Sequence, residues 1–171
     1  MPAPQHHKDQ LPANCAIVTV SDTRTEETDT GGQLLRSLLE AAGHRIHSYT
    51  IVKDEPTDVA KLVRARVGDN DCHAVLLSGG TGIAARDKTV EAIAPMLDKR
   101  LDGLGELFRM LSYDQVGAAS MLSRALAGIM SQTAVFMMPG SPKAVELAMT
   151  KLIIPELGHI VALAGKMNEQ R

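Results

Sequence analysis

Short apolar runs alternate with longer stretches of helical periodicity along this chain. Four runs rich in β-branched and other apolar residues predict strands, at residues 15–20, 45–52, 74–77 and 133–138. Apolar residues at helical spacing predict helices at residues 30–42, 56–67, 89–97, 104–111, 121–130 and from 142 to about 165. Because continuously apolar strands are covered on both faces, the pattern predicts an α/β fold with a mostly parallel sheet.

The ends of these helices carry their own signals. Thr30 and Gln33 have the spacing of a capping box, and Gly43 is placed to end the same helix. Pro95 predicts that the third helix ends or kinks there. Ser141 can cap the last helix, because Pro142 suits the first helical position.

Composition limits the kind of protein. With 171 residues, 44% of them apolar, the chain is the size of one domain with an ordinary core. We expect residues 1–13 to form a flexible arm and residues 14–171 to form a single domain. A net charge of −2 and only two Tyr and two Phe side chains argue against nucleic acid as a partner.

Cysteine usage and hydropathy indicate the compartment. Cys15 and Cys72 are too few for a disulfide framework and predict reduced thiols. No segment approaches the roughly 18 apolar residues of a membrane span, and the N-terminal segment lacks the apolar core of a signal peptide. We therefore expect a cytoplasmic protein with no membrane partner. The histidines show no spacing typical of a zinc site.

Three compact loops follow predicted strands, at residues 21–32, 78–87 and 139–142. In parallel sheets, ligands bind beyond the carboxyl ends of the strands. The residues from Ser78 to Gly82 read Ser-Gly-Gly-Thr-Gly, and the N–H groups of such a turn can form an anion-binding concavity. The segment is neither a P-loop nor a dinucleotide fingerprint, and a plain turn is the alternative interpretation.

Charged residues near these loops suit a metal–phosphate site. Arg86 and Lys88 can meet phosphate oxygens, and Asp87 can coordinate magnesium. Asp54 and Glu55 follow the second predicted strand, so their carboxylates would reach the same edge. Each of these acids could instead cap a helix or lie in a solvated turn. Ser141 and the N–H groups after it form a second candidate anion site.

Short motifs in a fixed order resemble the MoaB/MogA family of molybdenum cofactor biosynthesis proteins, whose domain also forms the G-domain of gephyrin. They lie at residues 19–22, 29–32, 52–55, 78–82, 86–87, 121–124, 127–128 and 139–142. The likeness spans about residues 14 to 162, and residues 106–112 look more like MoaB than MogA. It implies a three-layer α/β/α sandwich.

The resemblance also implies an activity. Active members adenylylate molybdopterin with magnesium and ATP, so Mg²⁺ and the co-substrate ATP are the expected cofactors. The product later accepts molybdate, which implies transfer to a molybdate-inserting protein. The family assembles as trimers, and its MoaB-like members as hexamers, so a homotrimer or homohexamer is expected.

Site residues carry over motif by motif. Asp54 and Asp87 match the catalytic, magnesium-handling carboxylates. Residues implied to bind substrate or nucleotide are Ser21, Asp22, Asp29, Gly79, Gly80, Thr81, Gly82, Arg86, Pro139, Gly140 and Ser141. Two positions depart from the family pattern, because Lys53 stands in place of Pro and Gly31 in place of Ser. These departures motivate an alternative hypothesis, a homologue that binds molybdopterin or a nucleotide without catalysis.

Overall fold

The computed structural model describes residues 11–165, which contain six strands and six α-helices. The strands are β1 (Asn14–Val20), β2 (Arg45–Val52), β3 (Ala74–Ser78), β4 (Lys99–Leu101), β5 (Leu126–Met130) and β6 (Thr133–Met138). The helices are α1 (Thr30–Ala41), α2 (Pro56–Val67), α3 (Thr89–Ile93), α4 (Asp102–Val116), α5 (Pro142–Ala148) and α6 (Ile154–Ala164). Turns of 3₁₀ helix cover Ala94–Met96 and Gly117–Leu122, and a π-helical turn covers Met149–Ile153.

One sheet holds all six of these strands, in the order β2-β1-β3-β6-β5-β4. The pairs β1–β2, β1–β3 and β3–β6 are parallel, whereas β5 runs antiparallel to both β6 and β4. The carboxyl ends of β2, β1, β3 and β6 therefore meet at one edge, which is where the compact loops begin. The mostly parallel α/β fold predicted from the sequence is confirmed.

Helices cover both faces of the sheet. Alternate strand residues point to opposite faces, so Ile17 packs with α1, α4, α5 and α6, whereas Val18 packs with α2 and α3. Phe108 of α4 and Val63 of α2 are buried on these two faces. The result is the three-layer sandwich that the family resemblance implied.

The strands predicted from apolar runs are confirmed, but one predicted helix is wrong. Residues 121–130, taken as helical, form the end of a 3₁₀ turn and then β5. The register of β5 against β6 pairs Leu126 with Met137 and buries both side chains. Tertiary pairing thus overrides the local helical spacing. The short edge strand β4 was not predicted.

The helix caps agree with the sequence at two ends and differ at a third. Gly43 has a φ of 85°, and the Ser141 hydroxyl accepts the N–H of Ala144 at 3.3 Å, as predicted. Thr30, however, is the first residue of α1 and does not cap it. Asp29 is the N-cap, because its Oδ1 accepts the N–H of Gly32 at 3.0 Å.

Two predictions concern the ends of the chain. Ala13, at the end of the predicted arm, is fully buried, and its N–H donates to Nδ1 of His44 at 3.1 Å. Residues 1–10 of that arm lie outside the described residues. The helical run Pro142–Ala164 is long and apolar enough to cross a membrane, judged by length and composition alone. This corrects the expectation that no segment approaches the length of a membrane span. Part of this helical run is buried in the core, and core helices often meet the same criterion.

Candidate functional site

Three loops at the carboxyl edge of the sheet pack against one another through glycines. Gly79 donates its N–H to the carbonyl oxygen of Met138 at 3.0 Å, which joins the loop after β3 to the end of β6. A Cβ atom on Gly140 would lie 3.4 Å from Cα of Gly79. A Cβ atom on Gly31 would overlap the carbonyl oxygen of Gly140. At Gly31 the backbones therefore approach more closely than a residue with a Cβ atom would allow.

The glycine loop, residues 78–82, is held in a conformation that suits glycine. Gly79 and Gly80 have φ values of 100° and 68°, in the left-handed region. Thr89, the first residue of α3, donates its hydroxyl to Gly79 and its N–H to Gly80, both to the carbonyl oxygens at 3.0 Å. The loop is thus fixed to α3 through its carbonyl groups.

The N–H groups of the same loop remain available. Among residues 11–165, the N–H groups of Gly80, Thr81 and Gly82 donate to no protein acceptor. Thr81 is 2% exposed as a whole residue, so its N–H is hardly accessible, and the partly exposed Gly80 and Gly82 are the loop residues that offer main-chain N–H groups to a ligand. Such N–H groups are suited to anions.

Asp54 and Asp87 flank this loop. A Cβ atom on Gly80 would lie 3.4 Å from Oδ1 of Asp54, and a Cβ atom on Gly82 would lie 2.7 Å from Oδ2 of Asp87. Desolvation raises the pKa of Asp54, and the negative charges of Asp22 and Asp87 raise it further. The two carboxylates implied to be catalytic therefore lie beside the glycine loop and repel each other.

Arg86 ties the acidic residues together. Its Nε donates to Oδ2 of Asp22 at 2.9 Å, and its Nη2 donates to Oε1 of Glu55 at 3.1 Å and to the carbonyl oxygen of Asp54 at 3.2 Å. Asp22 also accepts the N–H of Asp54 at 3.1 Å through Oδ1. The hydrogen bonds that Arg86 donates to Glu55 and Asp22 raise the pKa of Arg86. Without a ligand, Arg86 thus neutralises these acids.

The acidic residues do not form a complete metal site by themselves. No group of three or more His, Cys, Asp or Glu side chains in residues 11–165 is arranged to hold a metal ion. The pair Asp54 and Asp87 nevertheless fits Mg²⁺, which usually binds one or two carboxylates together with waters and substrate phosphates. A dication would also offset the repulsion that raises the pKa of Asp54.

Three of the residues predicted to bind substrate also have structural partners within the protein. Asp29 is 1% exposed, and its carboxylate accepts Gly32 N–H and the Tyr49 hydroxyl, the latter at 2.6 Å. The Ser21 hydroxyl accepts the N–H groups of Thr23 and Arg24 at 3.3 and 3.1 Å. The Ser141 hydroxyl caps α5, as described above. Asp29 and Ser21 therefore shape the loop after β1, and Asp29 presents almost no surface to a ligand.

A cleft of about 680 Å³ opens beside Ser141, between the end of α4 and the start of α5. Its lining includes Gln115, Lys143 and Lys151. Pro139 and Gly140 lie at the sheet edge just before it, where Gly140 contacts Gly79. The glycine loop and this cleft are therefore connected through residues 139–141.

Arg124 ends the family motif at residues 121–124, but the sequence alone predicts no role for it in the site. Its Nε and Nη2 donate to the carbonyl oxygen of Gly82 at 3.0 and 2.7 Å. Tyr49 lies within the strand predicted at residues 45–52, and no sequence pattern indicates that its hydroxyl donates to the buried Asp29. The one sequence signal for Arg124 is its place in the motif at residues 121–124 that is shared with the family.

Known proteins match both the sequence and the fold. Residues 16–159 match a family model described as "Probable molybdopterin binding domain". Molybdenum cofactor biosynthesis protein B of Bacillus subtilis (strain 168) is 56% identical over 160 residues, covering 92% of this chain and 94% of that protein. A crystal structure of molybdenum cofactor biosynthesis protein B aligns with a TM-score of 0.89 at 52% identity, over 92% of this chain and 98% of that one.

A more distant structure has the same fold. The tungsten cofactor synthesizing protein MoaB from Pyrococcus furiosus aligns with a TM-score of 0.76 at 33% identity, over 90% of this chain and 97% of that one. The fold, the glycine loop and these matches define a domain of the molybdenum cofactor biosynthesis class. Within that class, the chain belongs to the MoaB/MogA family and is closest in sequence pattern to MoaB. Its function lies in molybdenum cofactor biosynthesis.

Proposed function

We propose that this protein is a molybdopterin adenylyltransferase. An oxygen of the terminal phosphate of molybdopterin attacks the α-phosphorus of ATP. A new P–O bond to that phosphorus forms while its bond to the bridging oxygen of the β-phosphate breaks. Pyrophosphate leaves with the bonding electron pair, and adenylyl-molybdopterin is the product. No protein nucleophile takes part.

The observation that carries the proposal is the position of Asp54 and Asp87 on either side of the glycine loop. Transfer between two anions requires that they be brought together and that their charge be neutralised. Loop N–H groups without protein acceptors can bind phosphate oxygens beside two carboxylates that can hold Mg²⁺. This combination suits phosphoryl chemistry better than binding of a neutral ligand.

Different residues of the site bind the phosphates, the metal ion and the rest of the substrate. The N–H groups of Gly80 and Gly82, which are partly exposed, bind phosphate oxygens. Asp54 and Asp87 hold Mg²⁺, which supplies charge neutralisation at the phosphates when bound. Arg86 exchanges its bonds to Asp22 and Glu55 for phosphate oxygens. The cleft beside Ser141, with Lys143 and Lys151 in its lining, accommodates the rest of the substrate.

A second candidate function is binding without catalysis. It is favoured by the contacts of Arg86, which is held by Asp22, Glu55 and the Asp54 carbonyl in the ligand-free protein. If those bonds persisted with ligand bound, the cation would not reach a phosphate. The protein would then hold molybdopterin or a nucleotide and pass it on.

One experiment separates the two functions. The protein is incubated with molybdopterin, magnesium and ATP, and the mixture is analysed for adenylyl-molybdopterin and pyrophosphate in equal amounts. Calorimetric titration with molybdopterin measures binding in parallel. Product formation supports the adenylyltransferase. Binding without product, in the presence of a working control enzyme, supports the second function.

We also propose that the protein is a homo-oligomer, a trimer or hexamer. The support is an exposed apolar surface on α4, where Leu107, Met110, Tyr113 and Val116 are 46%, 60%, 60% and 53% exposed. Exposed apolar patches of this kind mark interaction sites. Met110→Glu is expected to reduce the mass measured by sedimentation equilibrium. Leu163→Glu on α6, where Leu163 is 75% exposed, is the matched control and should leave the mass unchanged. A monomeric wild type would contradict the proposal.

A further inference from the structure

Arg124 holds both ends of the segment that carries Asp87. The residue lies in the short connection between the 3₁₀ turn Gly117–Leu122 and β5, two residues before the strand begins. Besides the two hydrogen bonds to Gly82, its Nη2 donates to the carbonyl oxygen of Asp87 at 3.0 Å. One planar guanidinium thus fixes the backbone at residues 82 and 87, and Asp87 lies at one of those two points.

The backbone of Arg124 adds a contact to the preceding residue of the loop. Its N–H donates to the carbonyl oxygen of Thr81 at 3.2 Å. In a trans peptide the C=O and the following N–H point in opposite directions. With the Thr81 and Gly82 carbonyls turned toward Arg124, the N–H groups of Gly82 and Ile83 point away from it. Neither of these N–H groups has a protein acceptor within residues 11–165.

Glu91 of α3 fixes the guanidinium in turn. Arg124 forms an ion pair with Glu91 through Nη1 and Oε1, and a second hydrogen bond joins Nη2 and Oε2 at 3.2 Å. This pairing raises the pKa of Arg124 and lowers the pKa of Glu91. The side chain of Arg124 is 32% exposed, and each of its three guanidinium nitrogens donates to a protein acceptor.

We propose that Arg124 is a positioning residue that orients the glycine-loop N–H groups and Asp87 for a bound metal–nucleotide complex without touching that complex. This inference rests on the proposed function, since it assigns the N–H groups to phosphate and Asp87 to the metal. Arg124 acts through Gly82 and Asp87, whose carbonyl oxygens it holds.

Calorimetric titration with Mn²⁺·ATP tests the proposal, because the affinity and the fraction of competent protein are obtained separately. The variants are Arg124→Gln, Arg124→Lys and Glu91→Gln. Arg100→Gln is the control, because Arg100 pairs only with the exposed carboxylate of Asp102 among the described contacts. We expect Arg124→Gln to weaken Mn²⁺·ATP binding by about 10- to 100-fold, as the loss of groups that orient metal ligands commonly does.

The conservative variants distinguish orientation from folding. Arg124→Lys keeps the charge and can donate to one carbonyl oxygen, so its affinity should lie between wild type and Arg124→Gln. Glu91→Gln should weaken binding less than Arg124→Gln, because the bonds to Gly82 and Asp87 remain. A purely structural role would lower the binding stoichiometry or the melting temperature and leave the dissociation constant of the folded fraction unchanged.

The outcomes separate the inference from the proposed function. If Arg124→Gln binds Mn²⁺·ATP with an affinity within twofold of wild type, the inference alone is overturned. If Arg124→Gln does not fold, the same comparison is made with Arg124→Lys. Wild type that binds Mn²⁺·ATP but forms no adenylyl-molybdopterin contradicts the proposed function, and the comparison of affinities still decides the role of Arg124. Wild type that binds no Mn²⁺·ATP contradicts both.

Discussion

Nε of Arg86 donates to Oδ2 of Asp22 at 2.9 Å, and this ion pair connects the loop after β3 to the loop after β1. Both side chains are largely exposed, so the pair contributes little to folding stability. Its importance lies in charge, because Arg86 is the cation that contacts both Asp22 and Glu55.

Replacing Arg86 should have opposite effects on the affinity for the metal ion and on the affinity for ATP. Arg86→Gln leaves the acids at this edge less neutralised, so Mn²⁺ alone should bind more tightly. ATP without metal should bind about 10-fold more weakly, because the loss of one hydrogen bond between charged groups lowers affinity by about that factor. Equilibrium dialysis measures both affinities, and Arg36→Gln on α1 is the control, since Arg36 pairs with Glu40 away from the site. Two unchanged affinities would remove Arg86 from the site.

The raised pKa of Asp54 predicts that its ionised carboxylate lowers the stability of the folded protein at neutral pH. The folded protein binds the Asp54 proton more tightly than the unfolded chain does. Stability from this group is therefore complete below the ordinary Asp pKa and is lost as the pH rises through the folded pKa. Asp54→Asn should melt at a higher temperature than wild type at pH 7, and the difference should shrink on acidification.

The same substitution should abolish the adenylyltransferase activity. Melting curves over a pH series, together with the product assay, check the two halves of the prediction. Asp58→Asn on α2 is the control, since Asp58 is exposed and its side chain makes no hydrogen bond or ion pair among residues 11–165. An Asp54→Asn protein that is less stable than wild type at pH 7 would contradict the electrostatic account.

Gly31 should not tolerate a side chain. Gly31→Ala places a Cβ atom against the carbonyl oxygen of Gly140, so residues 139–141 must shift, at a cost of about 1–3 kcal/mol. Gly103→Ala is a matched control, because Gly103 is also the second residue of a helix but a Cβ atom there would meet nothing within 4 Å. That variant should be stabilised by about 0.5–1 kcal/mol. Urea unfolding measures both, and equal effects would contradict the packing at Gly140.

Tyr49 should stabilise the fold through Asp29. Tyr49→Phe removes the 2.6 Å hydrogen bond to a carboxylate that is 1% exposed, so we expect a loss of about 1.5–3 kcal/mol in the free energy of unfolding. Burial and Asp29 hold the pKa of Tyr49 above its usual range, so the hydroxyl remains a donor at neutral pH. Tyr113→Phe, at a 60% exposed position, should cost almost nothing. Urea unfolding measures the free energy of unfolding of both variants. Equal losses for Tyr49→Phe and Tyr113→Phe would contradict a stabilising hydrogen bond between Tyr49 and Asp29.

The sequence predicted the central strands and the edge where the site lies, because both follow from local pattern. Continuous apolar runs such as residues 133–138 have few alternatives to a buried strand. The loops after β1, β3 and β6 then share one edge by the geometry of parallel strands. The proximity of Asp54 and Asp87 to the glycine loop follows from that topology.

Other features depend on contacts between distant residues and could not be predicted locally. Strand β5 forms because it pairs with β6, although its spacing favours a helix. The sequence indicates that Asp29 is an exposed acidic residue in a loop. In the structure Asp29 is buried against Tyr49 of β2, a contact that local sequence does not reveal. Arg124 reaches Gly82, which is 42 residues away in the chain.

The central claim is that Asp54 and Asp87 act together beside the glycine loop to support adenylyl transfer. The most direct test is the rate of adenylyl-molybdopterin formation by wild type, Asp87→Asn and Asp58→Asn at saturating magnesium and ATP. The account predicts that wild type and Asp58→Asn form product at similar rates, and that Asp87→Asn, while still folded, is slower by about 100-fold or more. Equal rates for wild type and Asp87→Asn would contradict it.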